Sequence, residues 1–312
     1  MKLPENINLI CILGPTASGK TQFAASLAHS MSGEIISTDS RQVYRGMDIG
    51  TGKDYSDYVV GNIRIPFHLI DIVDAGEEYN VFQYQKDFYT VFNEIQSRGG
   101  IPILCGGSGL YIQSVLNGYK LLQVPLNEAL RVSLGQQSIS DLENRLKSYK
   151  NVHNTTDTIT RKRLMRAIEI EEYLQTHPAA NDDFPEINPV IFGIDIEREL
   201  RREKITSRLK LRLKQGMVEE VRNLLASGIP AEKLEFYGLE YKYLSRYVEG
   251  KISYDEMFNS LNTAIHQFAK RQMTWFRKME KDGAIIHWID SSMLVEEKIA
   301  RVKEILESKK GV

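Results

Sequence analysis

Short apolar runs alternate along the chain with longer segments in which apolar residues recur every three or four positions. Runs of the first kind lie at residues 9–13, 101–105 and 190–196, and a further strand is predicted at residues 34–39. Residues 81–95 carry apolar and aromatic side chains at helical spacing. Buried strands that alternate with amphipathic helices predict an α/β fold built on an open parallel sheet.

The alternation lapses in the middle of the chain, where the sequence is polar and favours helices. We predict that residues 120–189 form a mostly helical insertion in a main domain made of residues 1–119 and 190–312. Within the insertion, residues 127–150 are expected to be helical and residues 151–156 to form a loop.

The composition is that of an ordinary globular protein. The chain has 312 residues, of which 26% are charged and 42% hydrophobic, so a large core is available. The formal net charge of −1 means that a nucleic-acid partner would have to bind local basic patches. The amino terminus does not read as a signal peptide, and no apolar run approaches the length of a membrane span. We therefore expect a soluble cytoplasmic protein that does not bind membranes.

Cysteine and histidine give no sign of a transition-metal site. The two cysteines, Cys11 and Cys105, lie within apolar runs, which predicts buried thiols in a reducing compartment. Together with six scattered histidines they form neither a zinc-finger spacing nor the H-E-x-x-H pattern. A transition metal held by protein side chains is therefore not expected.

The clearest motif follows the first apolar run and reads G-x-x-x-x-G-K-T, with an amphipathic helix predicted directly after it. Glycine lets the backbone turn its N–H groups inward, the start of a helix adds partial positive charge, and Lys20 adds a full one. The N–H groups of residues 16–21 are expected to hold a di- or triphosphate, with the Thr21 hydroxyl binding Mg²⁺. The motif predicts a P-loop NTPase-like parallel sheet flanked by helices and leaves the phosphate compound open. Its residues are Gly14, Pro15, Thr16, Ala17, Ser18, Gly19, Lys20 and Thr21.

Polar residues follow the second predicted strand and begin with Asp39, Ser40, Arg41 and Gln42. Loops at the carboxyl ends of parallel strands share one crevice, so Asp39 is a candidate general base or metal ligand near the phosphate. Asp39 and Gln42 also fit a capping box at a helix start, and both interpretations stay open. Asp71, which follows a further apolar stretch, is another candidate Mg²⁺ ligand, although a turn is the favoured interpretation there.

A second glycine-rich loop, Gly106-Gly107-Ser108-Gly109, follows the strand predicted at residues 101–105. An apolar segment comes directly after it, so this loop also opens a predicted helix. Two such loops at strand ends indicate one ligand held from both sides. A simple tight turn is the alternative.

Three segments are basic and are candidates for binding nucleic acid. Residues 160–169 place Arg163 and Arg166 on one helix face. Basic residues outnumber acidic ones in residues 197–214, and residues 268–278 interleave cations with aromatic rings, which suits phosphate contact and base stacking. The alternatives are a solvated charged face for the second segment and core-facing aromatic side chains for the third.

Five motifs, in this order, resemble the bacterial tRNA dimethylallyltransferases over nearly the whole chain. They are Gly14–Thr21, Asp39–Tyr44 with Gly46–Thr51, Gly106–Tyr111, Arg163–Glu169 and Ala269–Arg277. The resemblance implies that a dimethylallyl group moves from dimethylallyl diphosphate to the exocyclic amine of the adenine 3′ of the anticodon in tRNA. Diphosphate would be released, and Mg²⁺ would be the cofactor.

The resemblance also implies roles for individual residues. Asp39 would be the base that accepts the amine proton, while Ser108 and Arg166 would stabilise the leaving diphosphate. The implied contacts to the anticodon stem-loop of tRNA are Asp39, Ser40, Arg41, Gln42, Arg163, Leu164, Met165, Arg166, Ala167, Lys270 and Arg271. We expect a monomer. The chain departs from the family pattern at Ser108, where threonine is usual, and after Gly238, where it reads Gly-Leu-Glu-Tyr-Lys rather than Gly-Tyr-Lys-Glu.

Other functions use the same phosphate cradle. One is an ATP-dependent kinase that acts on a small molecule or nucleoside, and another is prenyl transfer to free adenine nucleotides. A nucleic-acid-binding module without catalysis would leave both glycine-rich loops unexplained. The cationic segments favour a polymeric acceptor over a free nucleotide.

Overall fold

The computed structural model describes residues 2–119, 121, 124–149, 160–177 and 184–310. The loop predicted at residues 151–156 lies outside this part of the chain. The structure divides into two compact units, Met1–Tyr119 with Pro185–Val312, and Lys120–Phe184.

Strands of the first unit build one large sheet and two short pairs. The strands are β1 (Leu9–Leu13), β2 (Gly33–Ser37), β3 (Tyr44–Arg45), β4 (Val59–Val60), β5 (Ile63–Arg64), β6 (Phe67–His68), β7 (Val73–Asp74), β8 (Ile101–Gly106), β9 (Pro189–Asp195) and β10 (Ile286–Asp290). Six of them run parallel in one sheet, in the order β10-β9-β1-β8-β2-β6. The short strand β3 pairs with β7, and β4 pairs with β5. The open parallel sheet confirms the predicted α/β fold class.

Helices surround the sheet and make up the second unit. Those of the first unit are α1 (Lys20–Met31), α2 (Val81–Ser97), α3 (Gly109–Leu116), α7 (Arg198–Lys214), α8 (Met217–Ala226), α9 (Ala231–Phe236), α10 (Leu239–Val248), α11 (Tyr254–Lys281) and α12 (Val295–Ser308), and those of the second are α4 (Glu128–Gly135), α5 (Ile139–Tyr149) and α6 (Arg161–Thr176). Local sequence fixes several starts: Asn80 and Ser253 form capping boxes at α2 and α11. Among the described residues, no helix is long and apolar enough to cross a membrane.

Strand β1 lies at the centre of the core, and all its residues are fully buried. Its neighbours are β8 and β9, so that Ile12 lies opposite Cys105 on one side and Phe192 on the other. Burial on both faces explains why the strand reads as a continuous apolar run rather than an alternating one. Both cysteines are buried free thiols, as predicted, and burial raises the pKa of each.

The stretch around Asp71 is a turn rather than a metal-binding strand. Strand β6 ends at His68, and the backbones of Leu69 and Asp71 are left-handed, with φ of 62° and 56°. The Asp71 carboxylate accepts hydrogen bonds from the Lys53 ammonium and the Tyr55 hydroxyl. These contacts hold the Asp71 carboxylate within the turn.

The second unit has its own small core. Leu134 of α4 and Leu142 and Leu146 of α5 pack against Leu164 and Ile168 of α6. The Thr160 hydroxyl caps α6 by accepting the Arg163 N–H.

Candidate active site

The first glycine-rich loop joins the end of β1 to the start of α1. Gly19 precedes the helix with a left-handed φ of 81°, a conformation that residues with a Cβ disfavour. Gly14 has no room for a side chain, because a Cβ there would lie 2.8 Å from Ser18 Oγ. No side chain caps α1, and its first turn has no acidic residue. The first-turn N–H groups of α1 are therefore open to an anion, and their binding of phosphate remains a prediction.

Not every backbone donor of this loop is available to a ligand. The Thr16 N–H donates to Gln272 Oε1 at 2.8 Å, and the Ser18 N–H donates to the Pro15 carbonyl at 3.3 Å. These two N–H groups therefore already have protein acceptors in this structure, and the expected binding of phosphate by residues 16–21 remains a prediction. The buried Ser18 hydroxyl, by contrast, has no hydrogen-bond partner in the protein.

Two cations converge on the loop. Lys20 Nζ lies 3.4 Å from the Pro15 carbonyl, and Arg208 of α7 donates to the Thr16 hydroxyl. Burial lowers the pKa of Lys20 below its usual range, and the charge of Arg208 lowers it further. Burial, followed by the charge of Arg212, lowers the pKa of Arg208 to about 10, so Arg208 stays cationic at neutral pH. An anion that enters this space would relieve their mutual repulsion.

Sequence reasoning did not single out Arg208, although a signal was present. It treated Arg208 as one of many basic residues in 197–214. Helix phase separates it from them, because Arg208 lies on the face of α7 that carries the buried residues Ile205, Leu209 and Arg212. A basic residue on a buried helix face needs an anionic partner, whereas a solvated one does not.

Asp39 follows β2 and is held in a turn. Its Oδ1 accepts the Arg41 N–H at 2.9 Å, and its own N–H donates to Ser37 Oγ at 3.2 Å. No helix starts at Asp39, and the Gln42 amide donates to the Gly52 carbonyl at 3.0 Å, so the capping-box interpretation is wrong. The charge of Asp39 raises the pKa of Lys20, against the effect of burial. This half-buried carboxylate thus lies within electrostatic reach of the phosphate cradle.

The second glycine-rich loop joins β8 to α3 and contacts the first. A Cβ on Gly107 would lie 2.3 Å from Gln272 Nε2 and 3.0 Å from the Gly14 carbonyl oxygen. A Cβ on Gly109 would lie 2.3 Å from the Trp275 ring. Ser108 precedes α3 without capping it, and its Oγ accepts the Ser40 N–H at 3.5 Å. The structure therefore brings both glycine-rich loops and the Asp39 turn together.

A further carboxyl group, which sequence reasoning did not assign, lies within electrostatic reach of Arg212 and Arg208. Glu240 lies in the first turn of α10, within the segment that departs from the family pattern. Burial raises the pKa of Glu240, against the effects of Arg212 and Arg208. Its place near these two arginines depends on the tertiary structure and cannot be read from the local sequence.

The protein offers few ligands for a metal ion. Within the described ranges, no three His, Cys, Asp or Glu side chains come together to hold one. Thr21 lies in the first turn of α1, next to Lys20, with its side chain partly exposed. Mg²⁺ usually keeps several waters and binds through one or two protein oxygens plus phosphate. The donor set thus fits Mg²⁺ that arrives with a diphosphate, and not a cage built from protein alone.

Arg166 lies in the second unit and has partners there. Its guanidinium donates to Glu169 and, at 2.7 Å, to the Val124 carbonyl. Glu169, whose side chain is 1% exposed, also accepts two hydrogen bonds from Arg131. Its pKa is lowered by these donors even though burial, the largest single influence, raises it. The role of Arg166 at the leaving diphosphate remains a prediction.

The other residues assigned to tRNA differ in exposure. The side chains of Leu164 and Ala167 are 0% and 6% exposed and pack in the core of the second unit, and their assignment to tRNA remains a prediction. Met165 packs against the same core. Arg163 on α6 is exposed, as are Lys270 and Arg271 on α11.

Comparison with known proteins identifies the family. A sequence model of the family described as IPP transferase matches residues 42–279. The chain belongs to the IPP transferase family. A relative named tRNA dimethylallyltransferase 2, from Bacteroides fragilis (strain YCH46), is 60% identical over 98% of this chain and 99% of its own length. A protein of the same name from Phocaeicola vulgatus is 56% identical over 98% of this chain and 99% of its own.

Solved structures agree with this membership of the IPP transferase family. The full-length tRNA isopentenylpyrophosphate transferase of Bacillus halodurans has a TM-score of 0.70 and 30% identity, and the match covers 97% of this chain and 96% of that one. A eukaryotic dimethylallyltransferase acting on tRNA has a TM-score of 0.78 over 98% of this chain and 81% of that one, but at 20% identity it bears on the fold alone. The predicted resemblance is confirmed, as is the prediction that the chain is a prenyltransferase.

Proposed function

We propose that this transferase moves the dimethylallyl group of dimethylallyl diphosphate to the exocyclic amine of the adenine 3′ of the anticodon in tRNA and releases diphosphate. The observation that carries the proposal is the meeting of both glycine-rich loops beside Lys20, Arg208 and Asp39. A cationic cradle next to a carboxylate suits a reaction that needs a leaving anion and a base. The names of the 60% identical relatives support the choice of substrates.

The cradle would act on the leaving group. Breaking the allylic carbon–oxygen bond develops negative charge on diphosphate and positive charge on the prenyl group. Fixed donors at the leaving oxygens lower that barrier most, because they need no reorganisation as the charge develops. The first turn of α1, Lys20, Arg208 and the Ser108 hydroxyl are the groups to which we assign this task. The free Ser18 hydroxyl adds a further donor.

Asp39 would act on the nucleophile. The lone pair of an aryl amine is delocalised into the ring, so nitrogen attacks well only if its proton leaves as the new carbon–nitrogen bond forms. A carboxylate that accepts this proton contributes about 10²–10⁴-fold. The Arg41 N–H fixes one oxygen of Asp39. The adenine must leave its stack to reach Asp39, which is cheap in a single-stranded loop.

Mg²⁺ would be held by the Thr21 hydroxyl together with the diphosphate oxygens. When bound, it neutralises part of the charge that develops on the leaving group. Thr21 follows the lysine of the G-x-x-x-x-G-K-T motif, and this is the position whose hydroxyl binds Mg²⁺ in proteins with this motif. It requires no further protein ligand.

The RNA would be held by exposed cations. Arg163, Lys270 and Arg271 are free to bind the phosphates of the anticodon stem, and such binding weakens steeply with salt. We further propose that the second unit contacts tRNA and that the protein acts as a monomer in the cytoplasm.

The test is a comparison of donors and acceptors. Pure protein, Mg²⁺ and tRNA receive either dimethylallyl diphosphate or ATP, and the tRNA nucleosides are then analysed by mass. We expect one adenosine to gain a dimethylallyl group with the first donor and no phosphorylated product with the second. Free AMP in place of tRNA should give far less product. Consumption of ATP, or a preference for AMP, would contradict the proposal.

A further inference from the structure

One side chain connects both glycine-rich loops. Gln272 of α11 is 7% exposed; its Oε1 accepts the Thr16 N–H at 2.8 Å, and its Nε2 donates to the Gly107 carbonyl at 3.0 Å. The orientation of its amide is unambiguous, because a backbone N–H can only donate and a carbonyl can only accept. Each loop thus gives one backbone group to the same amide.

The Gln272 contacts lie where the sheet no longer holds the two loops together. The parallel ladder between β1 and β8 ends where Leu13 pairs with Gly106, so beyond that pair the loops leave the sheet. Gln272 connects them just past this point. Because a Cβ on Gly107 would lie 2.3 Å from Gln272 Nε2, the amide fits between the loops only when residue 107 is glycine.

We propose that Gln272 is a positioning residue that sets the separation of the two loops and thereby shapes the pocket for the donor's diphosphate. The proposal rests on the proposed function, in which both loops face that group. Gln272 does not touch the diphosphate in this account. It acts by holding the Thr16 backbone at a fixed distance from the loop that contains Ser108. The Thr16 hydroxyl in turn accepts a hydrogen bond from Arg208.

Gln272 also connects this pocket to the helix that carries predicted RNA contacts. The two residues before it, Lys270 and Arg271, are exposed, while Gln272 points inward. One turn of α11 therefore faces the dimethylallyl diphosphate pocket on one side and the predicted RNA site on the other. Loss of the inward amide should weaken donor binding and spare RNA binding.

A matched control separates positioning from simple docking of α11. Trp275, three residues further along the helix, donates from Nε1 to Gln113 Oε1 of α3 at 2.7 Å. This bond attaches α11 to the second loop's helix but does not reach the first loop. Gln113→Met removes it, just as Gln272→Met removes the contacts between the loops.

The experiment measures inorganic pyrophosphate binding by calorimetry, steady-state kinetics and thermal melting for the full chain. Gln272→Met should weaken pyrophosphate binding and lower kcat/KM for dimethylallyl diphosphate by about tenfold to a hundredfold, with tRNA affinity nearly unchanged. Gln113→Met should lower the melting temperature and change pyrophosphate binding less than about threefold. Gly107→Ala, which displaces the same amide, should reproduce the Gln272→Met defect and add little to it in the double variant.

Unchanged pyrophosphate affinity in Gln272→Met would overturn the proposal, and so would equal losses in the Gln272 and Gln113 variants. Because pyrophosphate binding needs no acceptor, this readout is independent of the reaction. If the wild type fails to modify tRNA but Gln272→Met still weakens pyrophosphate binding, the proposed function fails and the positioning role stands.

Discussion

The two glycine-rich loops look alike in sequence, but the glycine just before α1 in the first and the glycine that opens α3 in the second are needed for different reasons. In the first, Gly19 adopts a left-handed φ of 81°, and nothing lies within 4 Å of where its Cβ would be. In the second, a Cβ on Gly109 would lie 2.3 Å from the Trp275 ring, and Gly109 has no unusual φ. Gly19 is thus required by backbone conformation, and Gly109 by what packs against it.

This difference extends to chemistry. The first loop opens an uncapped helix and carries Lys20, so it is built to attract an anion. The second supplies one hydroxyl, that of Ser108, and owes its position to α11. A local motif can therefore reveal the first loop, whereas the second can be understood only from the tertiary structure. The following predictions test this contrast.

The largest effect is expected at Asp39, which both loops face in our account. Asp39→Asn keeps the oxygen that accepts the Arg41 N–H but removes the base, so kcat should fall by as much as about 10⁴-fold. Single-turnover transfer to tRNA measures the loss. Binding of tRNA and of the donor should persist in this variant. Turnover at the wild-type rate would remove Asp39 from the mechanism.

The first loop should act mainly through its charge. Lys20→Met should lower kcat/KM for dimethylallyl diphosphate by about 10³-fold, because a fixed cation at the leaving oxygens is lost. Lys86→Met, which removes an exposed cation from α2, is the control and should have no effect. Similar kinetics for the two variants would refute an electrostatic role of the first loop.

Asparagine substitutions should separate the two kinds of glycine. Asparagine tolerates left-handed backbone, so Gly19→Asn should cost less unfolding free energy than Gly19→Ala, for which about 1–2 kcal/mol is expected. Gly109→Ala should cost about 1–3 kcal/mol through the clash with Trp275, and Gly109→Asn should cost more. Urea unfolding measures all four variants. The same ranking at both positions would contradict the contrast.

The smallest effect is a pH dependence of donor binding. Burial lowers the pKa of Lys20, and a bound diphosphate should raise it again, so binding takes up protons. Donor affinity should therefore fall as pH rises through the lowered pKa of Lys20. Calorimetric titrations without tRNA give the affinities. Lys20→Met should abolish this dependence, and affinity that rises with pH would be inconsistent with a cationic Lys20.

Features that depend on local sequence were predictable. The strands at Leu9–Leu13 and Ile101–Gly106 and the helix at Val81–Ser97 follow from burial on both faces or from helical spacing. The glycine-rich loop that ends at the uncapped start of α1 follows from its motif. These signals depend on neighbours in the chain, which a sequence shows directly.

Features that depend on tertiary contacts were not predictable. The Gln272 amide reaches residues 256 and 165 positions away, and Arg208 meets Thr16 across a separation of 192. The capping interpretation of Asp39 failed because the chain continues as a turn, and Leu164 and Ala167 proved to be packing residues of α6. A motif marks where residues matter but does not say which side of a helix faces a ligand.

The most direct test of the central claim is a crystal structure with Mg²⁺ and a non-reactive thiolo analogue of dimethylallyl diphosphate. We predict that its diphosphate contacts the first turn of α1, Lys20 and Ser108 together, with the first prenyl carbon on the Asp39 side. A diphosphate that contacts one glycine-rich loop alone, with its prenyl group turned away from Asp39, would contradict the account.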